Sequence, residues 1–330
     1  MPTGERRPGP TRHLASRGPA AQIRCRPDGP VRGPRSSASL VLLAVRRGRV
    51  SVVTEPSNLP AQTPSTAPLR AVVTGASSGI GEACVRFLRA RGWDVVAFAR
   101  RADRLAEVAE RTGAHPVAGD VTSDDDVARL VAEAGARGPV HALLNIAGFG
   151  LGVDHVDEAK IDEWRAMYET NVLGTVRVTK AFLPLLRASR RGDVVLMTST
   201  AGHDTYVGGS GYVASKHALL GVAKTLRLEL VGEPIRVIEI APGLVRTPEF
   251  SLNRYHGDQA GADAVYEGVV DPLTADDVAD VVTFAVTRPH HVNIDSLVLR
   301  PVAQASTYSL WRAPLVPKGV PAPAEEHRDA

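Results

Sequence analysis

Two cysteines in 330 residues, Cys25 and Cys84, are too few for a disulfide framework, and they have no metal-ligand spacing. No stretch approaches the ~18 consecutive apolar residues of a membrane-spanning helix. The early apolar run Leu40–Val45 is short, late and followed by Arg46-Arg47, which excludes a secretory signal. Residues 1–69 contain no lysine and only three acids against eleven arginines, a net of +8. Residues 70–330 hold 28 basic and 33 acidic groups, a net of −5. The overall charge of +3 therefore belongs to the leader. The remainder gives no charge argument for a nucleic-acid partner.

Residues 1–68 are rich in Arg, Pro and Gly and show no apolar periodicity, so they are expected to be disordered. An organellar transit peptide fits the scarcity of acids, but the Pro and Gly density forbids an amphipathic helix. A nucleic-acid arm rests on charge alone. The favoured reading is a start assigned too far upstream, with the true chain beginning near Val53-Thr54-Glu55. The folded region is expected over 69–305 and a flexible Pro-rich tail over 306–330, in a cytoplasmic protein. Cys84 falls in a predicted helix and is expected to be a small core residue.

From Leu69 apolar strands alternate with helical patterns, which predicts one doubly wound α/β domain on a parallel sheet of about seven strands. The strands are expected at 69–74, 93–99, 115–119, 140–144, 193–198, 235–241 and 293–300. Gly75-Ala-Ser-Ser-Gly79-Ile-Gly81 follows the first strand and opens a helix, an order that aims backbone N–H groups at a phosphate. The second strand ends at Ala99, where a dinucleotide fold that binds NAD has an acid for the ribose 2′-hydroxyl. Arg100 and Arg101 come next and suit a 2′-phosphate, which favours NADP(H). Asp120 and Val121 are placed to meet adenine, and Asp124-Asp125-Asp126 reads as a structural helix start. One long helix is expected from about Asp157 to Arg187 with Asn171 inside it. Residues 249–270 suit a substrate lid, and Thr274 to Asp277 forms a capping-box pattern.

Ser199 stands thirteen residues before Tyr212, and Lys216 four after it. If Tyr212 opens a helix, Tyr212 and Lys216 share a face. A phenol ordinarily titrates near about 10, and an adjacent ammonium favours the phenolate. Such a tyrosine serves as a general acid/base, with a serine hydroxyl holding the substrate oxygen. By itself Tyr-x-x-x-Lys is also an ordinary surface pair.

Taken together, Thr74–Gly81, Asp120-Val121, Asn145-x-Ala147-Gly148, Asn171, Ser199, Tyr212-x-x-x-Lys216 and Pro242-Gly243 resemble the short-chain dehydrogenase/reductase family across residues 69–305. The resemblance implies catalysis by Tyr212, pKa lowering and ribose binding by Lys216, and substrate orientation by Ser199. It also implies a water relay at Asn171 and carboxamide binding at Thr247. Cofactor contacts are implied at Gly75, Ser77, Ser78, Gly79, Ile80, Gly81, Asn145, Ala147, Gly148, Pro242, Gly243 and Val245. Ile146 departs from the pattern, standing where the family commonly has a second asparagine. Residues 241–258, the loop 199–212 and the run His291–Gln304 are similar to bacterial NADP-dependent 3-hydroxy acid dehydrogenases, which oxidise serine and allo-threonine. That implies a cation for the substrate carboxylate, either Arg246 or Arg254, with Tyr206 as a further substrate contact. A carbonyl reductase acting on uncharged ketones is the alternative, and a non-catalytic dinucleotide sensor a more distant one. A homo-oligomer, dimer or tetramer, is expected from the resemblance. No metal is expected.

Overall fold

The computed structural model describes residues 67–319; the expectations for the leader, including Cys25, lie outside the described residues. Seven parallel strands form one sheet: β1 (Arg70–Thr74), β2 (Asp94–Ala99), β3 (His115–Ala118), β4 (Ala142–Asn145), β5 (Gly192–Met197), β6 (Ile235–Pro242) and β9 (Ser296–Leu299). Their order is β3-β2-β1-β4-β5-β6-β9, with every pairing parallel. A parallel sheet needs cover on both faces, and the strands are accordingly apolar at consecutive positions. Val73, Val95, Leu144 and Val195 point to one face, and Val72, Val96, Leu143 and Val194 to the other. Helices α1 (Gly79–Ala90), α2 (Ala102–Thr112) and α9 (Ala275–Val286) cover the first face through Leu88, Leu105 and Val282. Helices α3 (Asp124–Ala136), α5 (Thr175–Ala188) and α6 (Ser210–Glu229) cover the second through Leu130, Phe182 and Leu219.

Strand order reverses between β1 and β4, and the crevice at their C-terminal ends is where open α/β sheets bind ligands. Local chemistry fixes the termini around it. Ser123 caps α3 by accepting from the Asp126 amide at 3.2 Å, and Thr274 with Asp277 forms the expected capping box on α9. Cys84 is fully buried in the first core, as expected of a small core residue.

The expected long helix over 157–187 is corrected. Helix α4 (Ile161–Tyr168) passes through a π-helical turn, Glu169–Gly174, into α5, and a separate 3-10 turn covers Val156–Glu158. The wider turn carries Asn171 inward, where it is fully buried. Residues 249–270 are more ordered than a polar lid pattern suggests, holding α7 (Phe250–Arg254) and α8 (Gln259–Ala264). A two-residue pairing of β7 (Val245–Arg246) with β8 (Leu273–Thr274) pins the base of this lid. The chain beyond residue 305 is tied to the body as far as Arg312, whose guanidinium donates to the carbonyls of Ala264 and Val265 at 3.4 and 3.2 Å.

Candidate active site

The crevice is a cleft of about 1090 Å³ running from the glycine-rich turn to the lid. Its floor depends on two close backbone approaches. Gly75 has φ +68°, and a side chain there would stand 2.9 Å from Ala147; at Gly81 a Cβ would collide with the Gly75 carbonyl. Thr74 fastens this turn to β4, its hydroxyl accepting from the Ile146 and Ala147 amides at 3.0 and 3.1 Å. A ligand can therefore approach the backbone at Gly75–Gly81 and lie at the N-terminus of α1, as a pyrophosphate would.

At the far end of β2, Arg101 donates to the hydroxyls of Ser77 and Ser78 at 3.1 and 3.0 Å and pairs with Glu249 at 2.7 Å. Arg100 is largely exposed and lies 3.9 Å from Asp120. Arg101 thus holds the converging donors, with Arg100 beside it on the rim. Glu249, with Arg101 as the largest influence on it, has its carboxyl held below the usual range.

On the opposite side, β5 delivers Ser199 and α6 presents Tyr212 and Lys216 on one face, as the spacing predicts. The Ser199 hydroxyl donates to the Pro242 carbonyl at 3.3 Å and accepts from the Ala201 amide at 3.1 Å. The segment on either side of Ser199 is held by the buried Glu239, which accepts from the Thr198 hydroxyl at 2.6 Å and meets His203 Nε2 at 2.7 Å. The Lys216 ammonium donates to the Met197 carbonyl at 2.8 Å and lies 5.6 Å from the Tyr212 ring centroid.

The expected depression of the phenol by Lys216 is not what this environment produces. Burial, and after it the neighbouring Tyr206, pushes the Tyr212 phenol upward, with the nearby Ser199 hydroxyl and the Arg254 charge acting the other way. Burial likewise lowers Lys216 to about 8. Two buried groups of opposite ionised charge sit together, each favouring its neutral form until a further charge enters.

Several of the expected site side chains have partners within the protein. Asn171 does not line the cleft. Its amide donates to the Phe149 carbonyl and the Ser215 hydroxyl at 2.9 and 3.1 Å and accepts from the Phe149 amide at 3.0 Å. Ser215 in turn donates to the Tyr212 carbonyl at 2.8 Å, so Asn171 braces both the Phe149 loop and α6. Asn145 also turns away from the cleft, donating to the Thr179 hydroxyl at 3.1 Å. Arg246 is exposed and stacks 4.8 Å from the Tyr266 ring centre, outside the cleft lining. Arg254 faces inward: it donates to the Tyr206 hydroxyl at 2.6 Å and the Gly208 carbonyl at 3.0 Å, and lies 5.7 Å from the Tyr212 ring centre. Ile80, Asp120, Val121, Gly148, Gly243, Val245, Thr247 and the divergent Ile146 all line the cleft.

A family model for short chain dehydrogenase matches residues 70–255. The chain belongs to the short-chain dehydrogenase family. It is 53% identical over 236 residues to an uncharacterised oxidoreductase of Mycobacterium tuberculosis, covering 72% of this chain and 92% of that one. It is 37% identical over 238 residues to a serine 3-dehydrogenase of Agrobacterium fabrum, covering 71% and 94%. The closed form of a serine dehydrogenase complexed with NADP+ superposes with TM-score 0.70 at 35% identity, covering 72% and 96%.

Sequence reasoning missed six contributors to the cleft of this short-chain dehydrogenase. Phe250 meets the Tyr212 ring edge-on at 5.5 Å between centroids. Gln304 accepts from the Leu244 amide at 2.8 Å and braces the turn after β6. Glu249 reaches the glycine-rich loop, and Thr307, Leu310 and Arg312 line the lid side. The signal for Glu249 was an acid two residues beyond Thr247; the others carried none, because their contacts cross long sequence separations. Among the described residues, no group of three or more His, Cys, Asp and Glu side chains could hold a metal, and no helix is long and apolar enough to cross a membrane.

Proposed function

We propose that this dehydrogenase uses NADP(H) and interconverts small 3-hydroxy acids with their carbonyl forms, with Tyr212 as general acid/base. The observation that carries the substrate class is Arg254, held 5.7 Å from the Tyr212 ring centre on the lid side of the cleft. A guanidinium there pairs with a carboxylate while the substrate hydroxyl reaches Ser199 and Tyr212. The names of two relatives run the same way: serine 3-dehydrogenase and, at 35% identity, the NADP-dependent 3-hydroxy acid dehydrogenase of Schizosaccharomyces pombe.

The residues present fit a phosphorylated dinucleotide. The Gly75–Gly81 cradle suits the pyrophosphate, Arg101 with Ser77 and Ser78 suits a 2′-phosphate, and Thr247 suits the carboxamide. NADP+, when bound, supplies the hydride acceptor and a cationic ring. In the oxidation direction Tyr212 takes the hydroxyl proton of the substrate, and Ser199 orients that oxygen. The Lys216 ammonium supports the phenolate against the burial that opposes it. Asn171 works through Ser215 and Phe149, holding α6 and the loop that carries Gly148 in register.

Full-length protein offered NADP+ with serine, allo-threonine, 3-hydroxypropionate, 3-hydroxyisobutyrate and a plain secondary alcohol tests the reading. Turnover of the carboxylated alcohols alone supports it; turnover of the plain alcohol alone overturns the carboxylate pocket. The latter outcome would favour an apolar ketone reductase, a reading supported by Phe149, Leu151, Tyr206 and Phe250 clustering around Tyr212. Exposed apolar side chains at Ile161, Tyr168, Leu173 and Val176 support the expected homo-oligomer, which sedimentation would test. A cytoplasmic setting is part of the same reading.

A further inference from the structure

Glu249 sits at the lid edge of the cleft, one residue before α7, yet its carboxylate is bound on the opposite shore. It accepts from the Ser78 hydroxyl at 3.0 Å and from two Arg101 nitrogens at 2.7 and 2.9 Å, and it also pairs with Arg104. Arg101 and Arg104 belong to the segment just after β2, and Ser78 to the glycine-rich turn, 145 to 171 residues away in sequence. These donors are the ones that suit a 2′-phosphate, and a phosphate engages a guanidinium fork bidentately just as a carboxylate does, so the two compete for it. The same lid segment continues through Phe250 and Arg254 to the phenol of Tyr212.

We propose that Glu249 is a cofactor-discriminating latch: its carboxylate occupies the Arg101–Arg104–Ser78 donor set, and a ligand's 2′-phosphate must displace it there. The proposal rests on the NADP reading above. An unphosphorylated dinucleotide leaves the latch in place and gains nothing from those arginines. A phosphorylated one exchanges one anion for another, so its net gain is the difference between two ion-pair sets and not the whole of one. Glu249 therefore moderates the preference for the phosphorylated cofactor, and its release frees the lid edge that carries Phe250 and Arg254.

The test is calorimetric binding of adenosine 2′,5′-bisphosphate, NADP+ and NAD+ to the full-length protein and to its E249Q and R101M variants. Removing the competing charge in E249Q is expected to tighten the two 2′-phosphorylated ligands about tenfold, roughly the effect of 1.4 kcal/mol, while NAD+ stays within about twofold. NAD+ affinity also reports that the variant is folded. R101M is expected to weaken the 2′-phosphorylated ligands alone. If R101M weakens them and E249Q leaves them unchanged or weaker, the latch is overturned and the cofactor reading stands. If R101M changes nothing, Arg101 is no phosphate ligand and both fall.

Discussion

Replacing Lys216 by Met makes the cost of the buried ammonium visible as a pH-dependent stability. Lys216 is 5% exposed and its amine is lowered from 10.5 to about 8 by burial. Below pH 8 the ammonium is charged in both the folded and unfolded chains, and the folded chain bears the whole desolvation cost. As pH rises through 8 the folded chain releases the proton while the unfolded chain keeps it until near 10.5. The unfolded state then binds more protons, so stability rises with pH. The full interval is worth about 3 kcal/mol, of which about 2 kcal/mol should develop between pH 7 and 9.5. Urea unfolding of the wild type and K216M, followed at half-unit steps across that range, isolates the effect, because titrations common to both cancel in the difference. Wild-type stability should gain on K216M by about 2 kcal/mol as pH rises. A difference that is flat, or that falls with pH, would refute the reasoning: it would mean that the ammonium is compensated inside the protein, with a pKa at or above its ordinary value.

Other consequences are equally open to measurement. Arg254→Met should raise KM for a 3-hydroxy acid roughly 10- to 100-fold, the worth of a charged hydrogen-bonded pair, while changing a plain secondary alcohol by no more than about threefold. Asp193→Asn should cost about 3–5 kcal/mol in urea unfolding. It leaves the buried Arg236 without the carboxylate that now pairs with it at 2.6 and 2.7 Å, beyond the reach of solvent. The Cys84 thiol, pushed up to about 12 by complete burial, should resist alkylation at pH 8 in a C25S background until denaturant is added; labelling of the native chain would contradict its place in the core.

Features encoded by local spacing were legible in the sequence. Thr74–Gly81 could be read because the turn's close approaches tolerate only glycine, and Ser199, Tyr212 and Lys216 because a strand end and one helical turn suffice to converge them. The sheet followed from apolar runs separated by helical periods. What could not be read depends on distant partners. The π-helical turn at Glu169–Gly174 exists where Asn171 is drawn inward to Phe149 and Ser215, and an uninterrupted helical pattern carries no mark of that. Asn145 and Arg246 have side chains suited to a ligand, but Thr179 and Tyr266 claim them. Glu249 reads as one more acid in a polar lid until β2 and the glycine-rich turn bring Arg101 and Ser78 against it. The phenol's acidity was the subtlest case. Spacing placed an ammonium beside Tyr212, but the magnitude of burial around both groups depends on packing from the lid and the sheet together.

In the proposed mechanism it is Tyr212 that moves the proton. Tyr212→Phe keeps the ring, its edge contact with Phe250 and its packing, and removes only the phenolic hydroxyl. Turnover of NADP+ with the best substrate of the panel should fall by at least about a thousandfold, within the range set by loss of a general acid/base, while calorimetric binding of NADP+ stays within about threefold. Turnover at the wild-type rate in the Phe variant would contradict the mechanism outright.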